Sequence, residues 1–183
     1  FLDALMEEFI QKLEALRDHE EAEKRQAFAF MERAYNFAKA NRALGLGVLG
    51  YHSLLQSKNL PFESDEANAL NEEVFKLIKE KSDAESVKLA EELGEPEVLK
   101  GYGRRNTTKL SIAPTTSSAF ILGQVSQGIE PIWSNCYIKD VAKMKVTIKN
   151  PTLVKLLQDK DQDTKVVWDS IRDSDGSVQH LDF

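Results

Sequence analysis

Four consecutive hydroxyl side chains, Thr115-Thr116-Ser117-Ser118, follow Pro114 at the end of the apolar run Leu110-Ser111-Ile112-Ala113, and apolar residues resume at Ala119. The pattern predicts a strand that stops at the proline and a short helix that starts with Thr or Ser as its N-cap. The first amides of a helix have no partner inside the helix and carry the positive end of its dipole. Hydroxyls beside them add donors, so the chemistry on offer is the grip of an anion, a phosphate above all. An ordinary strand-to-helix corner capped by Thr or Ser uses the same residues, and the local pattern leaves both readings open. Five residues past Gly123 comes a second constrained turn, Gly128-Ile129-Glu130-Pro131, where Glu130 is expected to cap or lock the turn.

Other residues that could do chemistry fit blander roles. Gly45-Leu46-Gly47-Val48-Leu49-Gly50 matches the dinucleotide fingerprint GxGxxG in its letters. That fingerprint needs a strand before it and an acidic residue ending a later strand, and here a helical pattern precedes it. The glycines fit close backbone packing better. Cys136 has Asn135 and Tyr137 as neighbours, neither of them a base that would activate a nucleophile, so it is read as a small, partly buried side chain. His19, His52 and His180 have no companion at metal-ligand spacing and are read as surface or packed residues.

The elements that must position these residues follow from periodicity. Leu2, Leu5, Met6, Phe9, Ile10, Leu13 and Leu16 mark an amphipathic helix that breaks at Asp18-His19-Glu20. A second helix is expected over 21–41, burying Phe28, Met31, Tyr35 and Ala38. After the glycines a short helix runs through Leu54-Leu55. Ser64 should cap a long helix that stops at Gly94 and Pro96, and Ser82 with Glu85 could cap a separate last piece of it. Residues 97–106 read as loop, 107–113 as strand, and 117–123 as short helix. From Ile132 to Ile148 the chain reads as extended, Val141 and Lys143 included. Asn150-Pro151-Thr152 opens one helix, and Lys165 to Ile171 forms the last.

Composition narrows the classes. The 183 residues carry a net charge of −6 and a pI near 5.2, with 42% hydrophobic and 30% charged residues. That is an ordinary soluble balance, and neither it nor the scattered lysines suit a nucleic-acid surface. One cysteine excludes an internal disulfide and a multi-cysteine metal site, and no apolar run reaches membrane-spanning length. The chain begins Phe1-Leu2-Asp3 inside a helical pattern and ends at Phe183, so it is expected to be a fragment. The fold class expected is mostly α with a few strands. Lone strands leave backbone groups unpaired, which also suggests part of something larger.

Arg105-Asn106-Thr107-Thr108 leading into Leu110 to Ser118, then Gly128-Ile129-Glu130-Pro131, resembles the large subunit of class I ribonucleotide reductase. Three more stretches resemble it in the same order: Arg42 to Gly50, then Pro61-Phe62-Glu63-Ser64, and last Asp175-Gly176-Ser177-Val178-Gln179-His180-Leu181. The likeness covers residues 42–183; residues 1–41 carry little signature of their own. Thr115-Thr116 stands where many relatives carry a glycine or an acidic residue, so the resemblance does not say which loop residue makes which phosphate contact.

The resemblance implies a carboxy-proximal fragment of the catalytic barrel, a partial α/β barrel of the ten-stranded type, as one piece over 1–183. Its parts would be a helical hairpin (1–43), a glycine-rich segment with long helices (44–96), and the substrate-phosphate loop, extended segment and terminal helices (97–183). The implied activity is cytoplasmic reduction of ribonucleoside diphosphates by thiyl-radical chemistry, the oxidoreductase step that supplies deoxyribonucleotides for DNA replication. Pro114, Thr115, Thr116, Ser117 and Ser118 would bind the substrate's phosphates. The fragment would bind no cofactor or metal and hold no catalytic residue, because the radical cysteine, the redox cysteine pair, the allosteric loops and the radical-transfer tyrosines are missing. The parent would need a radical-generating, metal-containing small subunit and a large-subunit dimer. Alone the piece should be inactive. The alternative is a stand-alone helical module that binds a phosphorylated ligand or a protein partner, or a purely structural helical domain.

Overall fold

A computed structural model of the chain describes residues 1–141 and 144–183; Lys143 of the expected extended segment lies outside the described residues. The chain is mostly helical with a single described pair of strands, and it divides into two compact units. The first unit comprises residues 1–46 and 72–111, and the second 47–71 and 112–183.

In the first unit the three- and four-residue stripe builds α1 (Leu2–Arg17), which packs Ile10 and Leu13 against Tyr35 and Ala38 of α2 (Ala22–Asn41). Phe28 meets Tyr35 edge-on, ring centroids 5.5 Å apart, and with Met6 and Leu16 flanks the cluster. Met31, expected to be buried with them, is 38% exposed. The Tyr35 hydroxyl donates to Glu14 at 2.7 Å and accepts from Lys39 at 2.9 Å, which ties the two helices at their rim. At the end of α2, Arg42 turns into the left-handed region, φ 46°.

The long helix runs unbroken over Asp65–Leu93, with the Ser64 hydroxyl accepting the amide of Ala67 at 3.1 Å, as a cap should. It does not restart at Ser82. That hydroxyl donates to the carbonyl of Lys79 at 3.0 Å, the back-bonding open to serine inside a helix. This helix, α4, follows α3 (Tyr51–Ser57) in the chain. A left-handed Gly94, φ 84°, ends it, and its amide returns to Ala90.

Residues 107–113 do not form the expected strand. Their pairing is a single parallel bridge between Leu46 and Leu110, flanked by amide bonds from Leu44 to Thr108 and from Leu46 to Lys109. The partner segment is short, and a ladder extends only as far as its neighbour does. Gly45 is needed there: a Cβ would lie 2.8 Å from the Ser111 hydroxyl.

In the second unit the described part of the extended segment is two strands, β1 (Cys136–Val141) antiparallel to β2 (Met144–Lys149), paired from Cys136 with Lys149 to Val141 with Met144. The Asn150 side chain accepts from Thr152 to cap α6 (Pro151–Asp159), and Thr164 accepts from Val167 to cap α7 (Lys165–Asp173). Leu153 and Leu157 of α6, Trp168 and Ile171 of α7, and Cys136 form the core. Cys136 is 7% exposed, a packing residue as its neighbours indicated. Three of the four hydroxyl residues open α5 (Thr116–Ile121), whose own Ala119 is buried.

Candidate functional site

Thr115 is the N-cap of α5, as expected, but its hydroxyl does not cap that helix. Its backbone is left-handed, φ 50°, an unusual conformation for a β-branched residue that costs about 1–3 kcal/mol unless the surroundings enforce it. What enforces it is visible: the Thr115 hydroxyl accepts the amide of Gly128 at 2.9 Å. Thr116 pairs its hydroxyl with the Gln127 side-chain oxygen at 3.1 Å. Gly128 is itself confined, at φ 52°, where a Cβ would lie 2.7 Å from the carbonyl oxygen of Ala113. The two sequence motifs, the hydroxyl run and the Gly-Ile-Glu-Pro turn, are therefore one structure.

The turn is locked by backbone, the amide of Glu130 donating to the carbonyl of Gln127 at 2.9 Å. The Glu130 carboxylate, expected to do this, is exposed and makes no hydrogen bond among the described residues. Its position after a left-handed glycine lets the main chain close the turn without it.

Pro114, Thr116, Ser117 and Ser118 are exposed and Thr115 is half-buried, so the cluster faces outward. Among the described residues the amides of Thr116, Ser117 and Ser118 have no acceptor; the first amide of α5 to return within the turn is Ala119, to Thr115 at 2.8 Å. Among the described residues the hydroxyls of Ser117 and Ser118 have no protein partner, whereas those of Thr115 and Thr116 bond to the turn. A small hollow of about 90 Å³ lies beside it, lined by Gln127, Glu130, Trp133, Tyr137 and Lys149 among others; residues 114–118 do not line it.

Sequence reasoning missed the support behind this loop. His52 and Ser53 of α3 bond to residues 126 and 132, contacts that span 73 and 80 positions. His52, read only as a surface or packed residue, is half-buried, and burial pushes its pKa below the usual 6.5.

Also missed, in the first unit, is the role of Arg42, Arg105 and Asn106. Both Asp3 carboxylate oxygens are taken: one accepts from Arg42 Nε and Asn106 Nδ2, each at 2.9 Å, the other from Arg42 Nη2 at 2.9 Å and Arg105 Nε at 3.2 Å. All four residues are at most 9% exposed. One signal was readable, since Asp3 falls on the 3-6-10-13 stripe that α1 buries.

The ribonucleotide reductase barrel-domain model matches residues 23–99 and 96–183. This chain belongs to that family. It is 39% identical over 153 residues to the ribonucleoside-diphosphate reductase large subunit of Invertebrate iridescent virus 6, covering 82% of this chain and 16% of that one. Against the large subunit of Invertebrate iridescent virus 3 it is 38% identical, covering 82% and 24%. Among solved structures, the class Id ribonucleotide reductase alpha subunit of Actinobacillus ureae superposes with a TM-score of 0.80 at 49% identity, over 98% of this chain and 30% of that one. The chain thus spans about a sixth to a quarter of these viral large subunits. The resemblance read from the motifs, and the mostly helical barrel-domain fold it implied, hold. Among the described residues no helix is long and apolar enough to cross a membrane.

Proposed function

We propose that this chain supplies the substrate-phosphate grip of a ribonucleoside-diphosphate reductase, the enzyme that reduces ribonucleotides to deoxyribonucleotides. Pro114 to Ser118 form the grip. The amides of Thr116, Ser117 and Ser118 and the hydroxyls of Ser117 and Ser118 donate to the phosphate oxygens, while Thr115 and Thr116 hold the loop in shape. The observation that carries this reading is the exposed, outward run of hydroxyls, with amides unpartnered among the described residues, in a chain of this family.

Reduction itself belongs to the larger protein. A metal-containing small subunit would supply the radical chemistry, which would act through a cysteine of the larger protein outside the loop described here. Cys136 is buried in packing and has no such role. Among the described residues no three His, Cys, Asp or Glu side chains group to hold a metal, and no step of the grip is assigned to one. The radical-generating subunit, a second large subunit and the cytoplasm complete the setting we propose. The 183 residues alone bind substrate and reduce nothing. A free-standing helical module is not favoured, given the match along the chain to one enzyme family.

Titration of the chain with cytidine diphosphate, in the presence and absence of inorganic phosphate, tests the grip. Binding should be competed by phosphate and lost in Thr116→Val with Ser117→Ala. If the wild-type chain takes up no nucleoside diphosphate, or the double variant binds as well, the assignment of these residues is wrong.

A further inference from the structure

The loop that presents the hydroxyls is held from behind by one helical turn. Every backbone group of Ser126 engages α3 or its cap: its amide donates to the Ser53 hydroxyl at 2.9 Å and its carbonyl accepts the amide of Gly50 at 2.8 Å. Its own hydroxyl accepts the amide of Ser53 at 3.1 Å, which closes a reciprocal serine pair, and Ser126 is 2% exposed. Six residues later the amide of Ile132 donates to His52 Nδ1 at 2.9 Å. An amide can only donate, so this nitrogen is the unprotonated one and the ring proton sits on Nε2. The edge of the His52 ring stands against Phe62, centroids 5.5 Å apart.

Between those two anchors lie Gln127 and Gly128, the residues that hold Thr116 and Thr115. The segment has no slack, because Gly128 already lies against the Ala113 carbonyl. A shift at either anchor is therefore passed to the backbone of residues 115–118, whose amides donate to an anion only over a narrow range of distance and angle.

We infer that His52 and Ser53 are positioning residues for the anion grip, acting through the 126–132 turn on Thr115 and Thr116. The inference rests on the phosphate-grip reading above. Neither side chain touches the ligand. His52 sets one end of the turn through its Nδ1 acceptor, and Ser53 sets the other through its pair with Ser126.

The test uses the full chain and two readouts. Amide hydrogen exchange is measured without ligand, and cytidine diphosphate affinity is measured by titration, for wild type, His52→Leu, His52→Asn and Ser53→Ala. The asparagine oxygen can stand where Nδ1 stood, so His52→Asn should rescue. Exchange at Ser126, Gly128 and Ile132 should quicken in His52→Leu and Ser53→Ala, and their affinity for the diphosphate should fall about tenfold, the size expected for one lost buried hydrogen bond. His52→Asn should stay within about threefold of wild type on both readouts. Wild-type affinity in His52→Leu, despite quickened exchange, would overturn the positioning role and leave the grip intact. Equal loss in His52→Asn and His52→Leu would overturn it as well, since bulk and not the acceptor would be at work. A wild-type chain that binds no diphosphate overturns both this inference and the reading beneath it, whatever the exchange shows.

Discussion

Replacing Asp3 with asparagine should be among the most damaging conservative changes in the first unit. The carboxylate accepts four hydrogen bonds from Arg42, Arg105 and Asn106 within an interior that water scarcely reaches. Asparagine keeps the shape, but removes the charge and turns one acceptor into a donor that faces other donors. Breaking a buried ion pair from one side costs about 3–5 kcal/mol. The lower end is expected here, because the remaining groups keep some partners. Arg42 retains Glu7 at 2.7 Å and the Asp3 carbonyl at 2.9 Å, and Arg105 retains the carbonyls of Leu93 and Gly94. About 3 kcal/mol is still a large share of the 5–15 kcal/mol that holds a typical domain folded.

The same site fixes the pH dependence of that loss. Burial alone would raise the Asp3 carboxyl, but hydrogen bonds and charge from Arg42, with Asn106 and Arg105, outweigh it and hold the group below its ordinary 3.8. A depressed folded pKa means the contribution is complete above 3.8 and is lost as pH falls through the folded value. Urea unfolding followed by helical circular dichroism at pH 7 and at pH 3 or below therefore reads both effects. Wild type should exceed Asp3→Asn by about 3 kcal/mol at pH 7, and the gap should narrow in acid as wild type becomes protonated. A difference under about 1 kcal/mol at neutral pH, or one that stays constant into acid, would refute the reasoning.

Two further outcomes follow from the second unit. Gly128→Ala should destabilise by about 2 kcal/mol or more, through a left-handed backbone and a Cβ set 2.7 Å from the Ala113 oxygen, and a melting temperature equal to wild type would contradict the described turn. The burial that depresses the His52 pKa makes stability complete above 6.5 and lower as pH falls through the folded value, since the protonated ring cannot accept from Ile132. Unfolding at pH 5 and pH 8 should show that slope in wild type and a smaller one in His52→Leu, with identical slopes counting against it.

The helices were legible because each needs only local information. The stripe over Leu2–Leu16, the Ser64 cap and the Asn150-Pro151 start all came within a residue or two of the elements seen. The strand over 107–113 was not, because β-branched and apolar residues state a preference that only a paired neighbour can satisfy, and the neighbour is the short stretch from Leu44 to Leu46. Likewise the burial of Asp3 was missed although it sits on the stripe that α1 buries, and its partners stand 39, 102 and 103 positions away. Nothing local pairs an aspartate with two particular arginines over such distances.

The hydroxyl cluster shows the same division at the scale of four residues. Composition said that Thr115 to Ser118 were rich in donors, and that much carries over to their exposed surface. It could not divide the labour among them. Thr115 and Thr116 commit their hydroxyls to Gly128 and Gln127, so they shape the loop, whereas Ser117 and Ser118 are exposed and their hydroxyls have no partner among the described residues. This division explains how a threonine can stand at a left-handed position that would favour glycine: its own hydroxyl, by accepting the Gly128 amide, offsets the strain its branched Cβ creates. A glycine at 115 would relax the backbone but give up that bond. The strained threonine and the confined glycine thirteen positions later are best understood as one paired solution to fixing the path of this loop.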